Sequence, residues 1–234
     1  VLIKLEEEYR FYNRMDQVLK IRNERIENDF IKTFWEIYAS CGLYEEAIND
    51  YKLFEPLPQE YSRSRLTYYL RLGDLFFEAK KIDSAEKYFR IGLAETEIFL
   101  KMIDSKKIKE EGNFLYWKGW FNGLIANCLI ERGEYTTAKK LLIYYLSLST
   151  GEYRLNSLFP LSVCYIKTRE LQKAKVCIDS VAYYIAGRTI GKVEVKYFKI
   201  NSDYYHVLGK NDSAFYFLQQ YNRYNDSATT NILK

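Results

Sequence analysis

Few side chains in this sequence are suited to acid-base, nucleophilic or metal chemistry, and their spacing does not assemble them. The single histidine, His206, would act as a general base only with an acid to orient it and a nucleophile within reach. Its place in a helical pattern predicts a groove or core residue instead. The four cysteines, Cys41, Cys128, Cys164 and Cys177, form no C-x-x-C pair and have no histidine companions, so the spacing of a zinc site is missing. Thiols buried among apolar neighbours are the default reading of such a scatter. The acid pairs Glu45-Glu46 and Glu110-Glu111 fall in turns or at helix starts, where a carboxylate meets the positive end of the helix dipole without doing chemistry. H-E-x-x-H, G-x-x-x-x-G-K-[ST], G-x-S-x-G and G-x-G-x-x-G are all missing from the sequence. No catalytic residue, metal or cofactor is expected.

The elements that carry these residues repeat. Ala47, Ala85, Ala138, Ala174 and Ala214 are anchors separated by 38, 53, 36 and 40 residues. Four residues after each anchor stands Tyr51, Phe89, Leu142, Ile178 or Leu218, and three further on Phe54, Gly92, Tyr145, Val181 or Tyr221, one face of a helix. Nine residues before the anchors come Tyr38, Phe76, Leu129, Tyr165 and Tyr205, the face of a preceding helix. Twelve before, Gly73, Ala126, Ser162 and Ser202 are small enough for two helices to approach closely, while Trp35 breaks that rule in the first unit. Gly42, Gly133 and Gly209, five before the anchor, suit a helix end that needs positive φ; Lys80 and Arg169 replace glycine in the other two units. Asp83-Ser84, Thr136-Thr137 and Asp212-Ser213 read as polar caps of the second helices. Cys128 and Cys164 occupy equivalent places in adjacent units, which brings them to neighbouring helices without setting the geometry of a disulfide.

The pattern resembles the tetratricopeptide repeat family, whose helix-turn-helix consensus is W-x2-L-G-x2-Y followed by A-x3-F. The second unit follows it most closely, with Tyr69-x2-Leu72-Gly73-x2-Phe76 and then Ala85-x3-Phe89. The first gives Gly42-x-Tyr44-x2-Ala47-x3-Tyr51 and the third Gly133-x-Tyr135-x2-Ala138-x3-Leu142; the fourth and fifth carry Leu171 and Asn211 in place of the turn tyrosine. The resemblance covers residues 28–225 and implies an all-α, right-handed superhelical solenoid of stacked antiparallel helix hairpins. Units are expected near 28–58, 64–103, 113–149, 153–187 and 192–225, with an N-terminal helix over 1–27, all in one domain spanning 1–234. Within the family, Asp83-Ser84-Ala85, Asp212-Ser213-Ala214 and the closing Tyr224-Asn225-Asp226-Ser227 resemble the sensor parts of bacterial membrane-spanning regulators.

Composition agrees with helices. Three prolines in 234 residues leave long helices uninterrupted, and aromatics at 17% supply bulk for a core. A net charge of +4, from 35 basic and 31 acidic residues, implies no field that demands nucleic acid. The densest basic stretch, Lys106, Lys107 and Lys109, is followed at once by Glu110 and Glu111 and reads as a solvated loop. The longest apolar runs fall well below the ~20 residues of a membrane helix, and no signal peptide is visible. A start at Val1 suggests an excised fragment or a mature form. The location is therefore periplasmic if the segment belongs to a membrane-spanning regulator, and cytoplasmic otherwise.

The opening segment, with Leu2, Leu5, Tyr9, Tyr12, Leu19 and Ile26, reads as the second helix of an earlier unit or as a coiled-coil helix weakened by Asp16 and Asn23. The long spacing between the second and third anchors predicts an extended second helix in unit two, then a charged loop over 104–112 that is either a structural insertion or a docking loop.

What remains is binding. A helical repeat array exposes a concave surface lined by its first helices. The family's groove positions, carried onto this sequence, give Leu70, Asp74 and Phe77; Trp120, Asn127 and Ile130; Phe159, Val163 and Ile166; and Lys196, Lys199, Asp203 and His206, with Lys32 and Glu36 in the first unit. The expected groove residues are Asp74, Phe77, Trp120, Asn127, Phe159, Lys196, Lys199 and His206. Trp120, Phe77 and Phe159 are the aromatic anchors, unless they serve only in packing. The expected partner is a peptide or protein segment, with no nucleic acid or membrane contact by this segment. The chaperone-type carboxylate clamp is not reproduced, since Asn127 lacks the matching residues. Two functions follow: a non-catalytic recognition domain, the sensor part of a bacterial signalling or transcription regulator, or a scaffold that acts through self-association without a groove ligand.

Overall fold

The structure, a computed structural model, describes residues 34–59, 62–105, 114–187 and 191–232, together with Asp16. The expected N-terminal helix and most of the 104–112 loop lie outside the described residues. Every regular element among the described residues is helical. They are α1 (Trp35–Ser40), α2 (Tyr44–Phe54), α3 (Arg63–Glu78), α4 (Ile82–Asp104), α5 (Phe114–Glu131), α6 (Tyr135–Leu148), a 3-10 turn (Gly151–Arg154), α7 (Leu155–Lys167), α8 (Leu171–Ile185), α9 (Lys192–Val207) and α10 (Asn211–Ile232). Consecutive helices pair as hairpins, and α4 has the extended length that the repeat spacing predicts, 23 residues. The chain forms two compact units, Val1–Glu95 and Thr96–Lys234.

The hairpin turns show why five dissimilar sequences fold alike. The N–H four residues before each anchor donates to the carbonyl nine before it: Leu43 to Tyr38 at 2.8 Å, Lys81 to Phe76 at 2.9 Å, Glu134 to Leu129 at 2.8 Å, Glu170 to Tyr165 at 2.9 Å and Lys210 to Tyr205 at 2.9 Å. This closes a Schellman-type turn and needs a left-handed residue in between. Gly42, Gly133 and Gly209 take it at φ 74°, 79° and 76°, and Lys80 and Arg169 are held at φ 60° despite their side chains. The turn also corrects the expected caps. Tyr135–Leu148 begins ahead of Thr136-Thr137 and has no side-chain cap. Asp83 and Asp212 likewise lie inside the first turns of α4 and α10. The left-handed residue redirects the chain so sharply that the next helix starts two residues early, and the acids act on the helix dipole instead.

In the first unit Ile37, Cys41 and Leu43 form a core cluster with Phe34 and Tyr38 against it, and Ala47, Leu66, Leu72 and Phe89 are fully buried. Gly73 meets the Phe89 ring so closely that an added Cβ would stand 2.2 Å from Phe89 Cε1. Trp35, at the equivalent place one hairpin earlier, packs edge-on to Tyr51 with centroids 5.1 Å apart. The small residue and the residue four after the anchor are thus facing partners. Arg65 adds a half-buried two-pronged pair with Glu95 at 2.7 and 3.1 Å.

The second unit contains the hairpins α5–α6, α7–α8 and α9–α10, beginning with the Thr96–Asp104 part of α4, where Phe99 stacks on Phe114 at 4.3 Å. First helices lie beside first helices, α5 against α7 and α7 against α9, while α6 packs on α7 and α8 on α9. Ser202 at the small position donates its hydroxyl to the Ala214 carbonyl at 3.0 Å, so here the close approach is fixed by a hydrogen bond. Pro160 lies inside α7, which continues through it. Having no N–H, it deprives the Asn156 carbonyl of its helical donor. That oxygen faces Gly123 of α5, where an added Cβ would stand 3.5 Å away.

Candidate binding surface

Helix α5 is apolar on nearly every side, and among its residues only Leu115 and Glu131 are exposed. Ile125, Ala126, Cys128 and Leu129 are spent on the core, so the aromatic residues near its start gather where the helix emerges. Tyr116 and Trp120 lie 5.4 Å apart between ring centroids, Trp117 and Trp120 5.5 Å, and Trp117 and the buried Phe121 6.1 Å. Tyr153, in the turn before α7, completes the group at 4.2 Å from Tyr116 and is itself 50% exposed. Burial, then the neighbouring Tyr153 hydroxyl, raise the Tyr116 pKa, and a side-chain hydrogen bond with Asn156 partly offsets them. Tyr116 is therefore a neutral phenol through the physiological range. The result is four adjoining rings, Tyr116, Trp117, Trp120 and Tyr153, fixed at one edge by Phe121 and open at the other.

Of the residues read as groove-lining, Trp120 belongs to this cluster. Asn127 is half-buried two helical turns further along α5, and Phe159 is half-buried on α7, the adjacent first helix. Lys196, Lys199 and His206 are exposed on α9, which packs beside α7. The Lys199 ammonium is paired with Asp203 at 2.6 Å. Asp74 and Phe77, both half-buried, belong to α3 in the first unit, where the Lys80 ammonium stands 5.8 Å from the Phe77 ring centre. Leu70 and Ile166, at groove positions by register, are 4% and 5% exposed.

Repeat register overlooks Tyr116, Trp117 and Tyr153. The first two lie on α5 ahead of the earliest consensus groove position, and the run Phe114-Leu115-Tyr116-Trp117 was the available signal. Tyr153 sits in a 3-10 turn with no helical period to mark it.

The other chemistry-bearing groups have structural settings. The four cysteines are buried free thiols, and burial pushes Cys164 and Cys177 up to about 11, so they are unreactive thiols at neutral pH. Glu170 accepts hydrogen bonds from Lys139, Lys173 and Thr168, which hold its carboxyl down to about 2. Both lysines stand 5.6 Å from the Tyr165 ring centre. Among the described residues there is no group of three or more His, Cys, Asp or Glu able to hold a metal ion, and no helix long and apolar enough to cross a membrane.

No protein-family model and no curated protein matches this chain. Solved structures do. The chain is similar to a Podosopora anserina protein described as a kinesin light chain with nearly identical TPR-like repeats, at a TM-score of 0.55 and 17% identity over 81% of this chain and 90% of that one. It is also similar to BtubC (BKLC) from P. vanneervenii, at a TM-score of 0.53 and 12% identity over 94% of this chain and 91% of that one. At these identities the likeness speaks for the fold, a TPR-like helical repeat, as the hairpin turns already indicate.

Proposed function

We propose that this TPR-like repeat chain is a non-catalytic recognition domain that holds an extended peptide or protein segment against the first helices of its second unit. The observation that carries this reading is the cluster of Tyr116, Trp117, Trp120 and Tyr153 at the junction of α5 and α7. Rings of this kind offer large contact area at little conformational cost, and aromatic residues dominate the energetics of interfaces. Beyond the cluster, Asn127 and Phe159 supply an amide and a further apolar contact, and Lys196 on α9 a cation for an acidic group on the segment. Asp74 and Phe77 offer the corresponding positions on the first unit. The setting favoured by the sequence resemblance is the sensor part of a bacterial signalling or transcription regulator, in which the bound segment shifts the array between two states for which it has different affinities.

The test is selection of a displayed library of 12-residue peptides on the full chain, followed by fluorescence anisotropy of the selected peptides with variants. Trp120→Ala and Tyr153→Ala should each weaken binding by roughly thirtyfold, the loss typical of a truncated interface anchor. Selected peptides that bind both variants as tightly as the parent chain would remove this surface from consideration. A second reading, a scaffold working through self-association, is favoured by the outward Phe215 on α10.

A further inference from the structure

The aromatic surface on α5 has polar chemistry as well as area, and that chemistry is one-sided. An indole N–H donates a hydrogen bond and never accepts one. Among the described residues neither the Trp117 nor the Trp120 N–H has a hydrogen-bond partner, and neither nitrogen is sealed from solvent. Both side chains are half-buried, so these two donors are set into an apolar surface rather than held out in bulk water. The backbone acceptors close by are committed. The carbonyls of α5 are spent along the helix, and the Asn156 carbonyl, which Pro160 leaves without a helical donor, is turned on Gly123.

The faces of these rings are undressed as well. Elsewhere the chain's own cations stand over its aromatics, with Arg71 5.6 Å from the Trp35 ring centre and Lys139 5.6 Å from that of Tyr165. On α5 the neighbouring Lys118 goes instead to Glu97 at 3.1 Å, and among the described residues no cation lies over Trp117, Trp120 or Tyr153. The surface thus offers apolar faces and indole donors. A lysine or arginine from a partner brings donors only, and would set them against the two N–H groups. An ordinary extended segment brings one N–H for every carbonyl, and each N–H covered by the rings would lose water without gaining an acceptor. Proline has a carbonyl and no N–H, and its ring is a flat apolar body. Runs of proline are also already ordered in the PPII helix, so little entropy is lost on docking.

We propose that Tyr116, Trp117, Trp120 and Tyr153 take a proline-rich segment in the PPII conformation, with pyrrolidine rings on the aromatic faces and carbonyls accepting from the two indole N–H groups. This rests on the peptide-binding reading of the same surface and narrows it to one class of segment.

The experiment is fluorescence anisotropy of labelled decaproline on the full 234-residue chain, beside decalysine and a glycine-serine peptide of the same length. Decaproline should bind with a Kd on the order of 100 μM, at least tenfold tighter than either control. Trp117→Phe and Trp120→Phe keep an aromatic face and delete the donor; each should keep the circular dichroism spectrum and weaken decaproline about fivefold, the loss of one net hydrogen bond. Alanine in place of the central prolines restores the N–H groups and should weaken binding further. A chain that ignores decaproline at about 1 mM overturns the proposal, as does decalysine binding as tightly, which would make the surface a platform for cations. Decaproline binding that both phenylalanine variants leave unchanged overturns it too. Library peptides that need Trp120 but show no excess of proline would sink this narrower reading and leave the surface standing, whereas peptides indifferent to Trp120→Ala would remove both.

Discussion

The hairpins α3–α4 and α9–α10 carry the same repeat signature and use it in opposite ways. In α3–α4 the small residue is Gly73, set against a Phe89 ring that is 0% exposed; in α9–α10 it is Ser202, bonded to the Ala214 carbonyl, and Leu218 in the place of Phe89 is 38% exposed. The first is filled until not even a methyl group fits. The second is held by a directional bond, with Leu218 partly in solvent. A repeat position therefore does not have a fixed energetic weight. Its weight comes from what lies across it, and the difference between a buried and a half-exposed joint is measurable.

The largest test of that difference is truncation at the same repeat position in each hairpin. Phe89→Ala removes a fully buried ring whose neighbours cannot collapse into the space, and should cost about 3–5 kcal/mol of unfolding free energy. Leu218→Ala deletes a side chain already partly in water, and for the monomer should cost about 1 kcal/mol or less. Urea denaturation measures both. Near-equal losses would mean that Leu218 is as enclosed in solution as Phe89 is.

The turns sharpen the comparison at a smaller scale, because the two hairpins solve one backbone problem with different residues. Gly209 reaches φ 76° without penalty, while Lys80 is held at φ 60°, where the Cβ crowds the following carbonyl. Lys80→Gly should therefore stabilise the chain by about 0.5–1 kcal/mol even though glycine enlarges the entropy of the unfolded state, and Gly209→Ala should destabilise it by about the same amount. Arg169, also at φ 60°, should behave as Lys80 does. Opposite signs in thermal or urea melts confirm that the turn geometry, and not the residue, is the conserved element of the fold. Equal signs would mean that the Lys80 side chain has compensating contacts.

These contrasts mark how far the sequence could be read. The hairpins were legible because their signals are local: the anchors, the small partners and the left-handed turn residue sit at fixed offsets, so even Lys80 and Arg169 could be assigned to the turn by position. The caps were misread because Asp83-Ser84 and Thr136-Thr137 have the right chemistry two or three residues too late; turn geometry, which composition does not encode, decided where the helices begin. In the aromatic cluster proposed for binding, Trp120 stood at a groove position by register, but Tyr153 needed the folding of a non-periodic turn onto α5. The exposure of Phe215 was beyond sequence reading for a different reason. Nothing in a residue's own repeat says whether another helix will cover it.

The smallest expected effect concerns the position next to the anchor, where the hairpins also differ. In α6 that position is Lys139, which crosses to Glu170 at the head of the next hairpin; in α10 it is Phe215, which is 61% exposed. Lys139, Lys173 and Thr168 lower the Glu170 carboxyl from 4.5 to about 2. The folded state thus holds the ionised form more firmly than the unfolded chain does. This contribution is complete above the unfolded value of about 4.5 and is lost as pH falls from there towards about 2, because the unfolded state takes up its proton first. Glu170 is well solvated, so the effect is small and screened by salt. Thermal melts of the parent chain and Glu170→Gln should differ by a constant amount from pH 7 to pH 5 and converge between pH 4.5 and pH 2. A difference that persists undiminished at pH 2 would assign the role of Glu170 to its uncharged contacts, and the joint between α6 and α8 would then be held by packing, as the joint between α3 and α4 is.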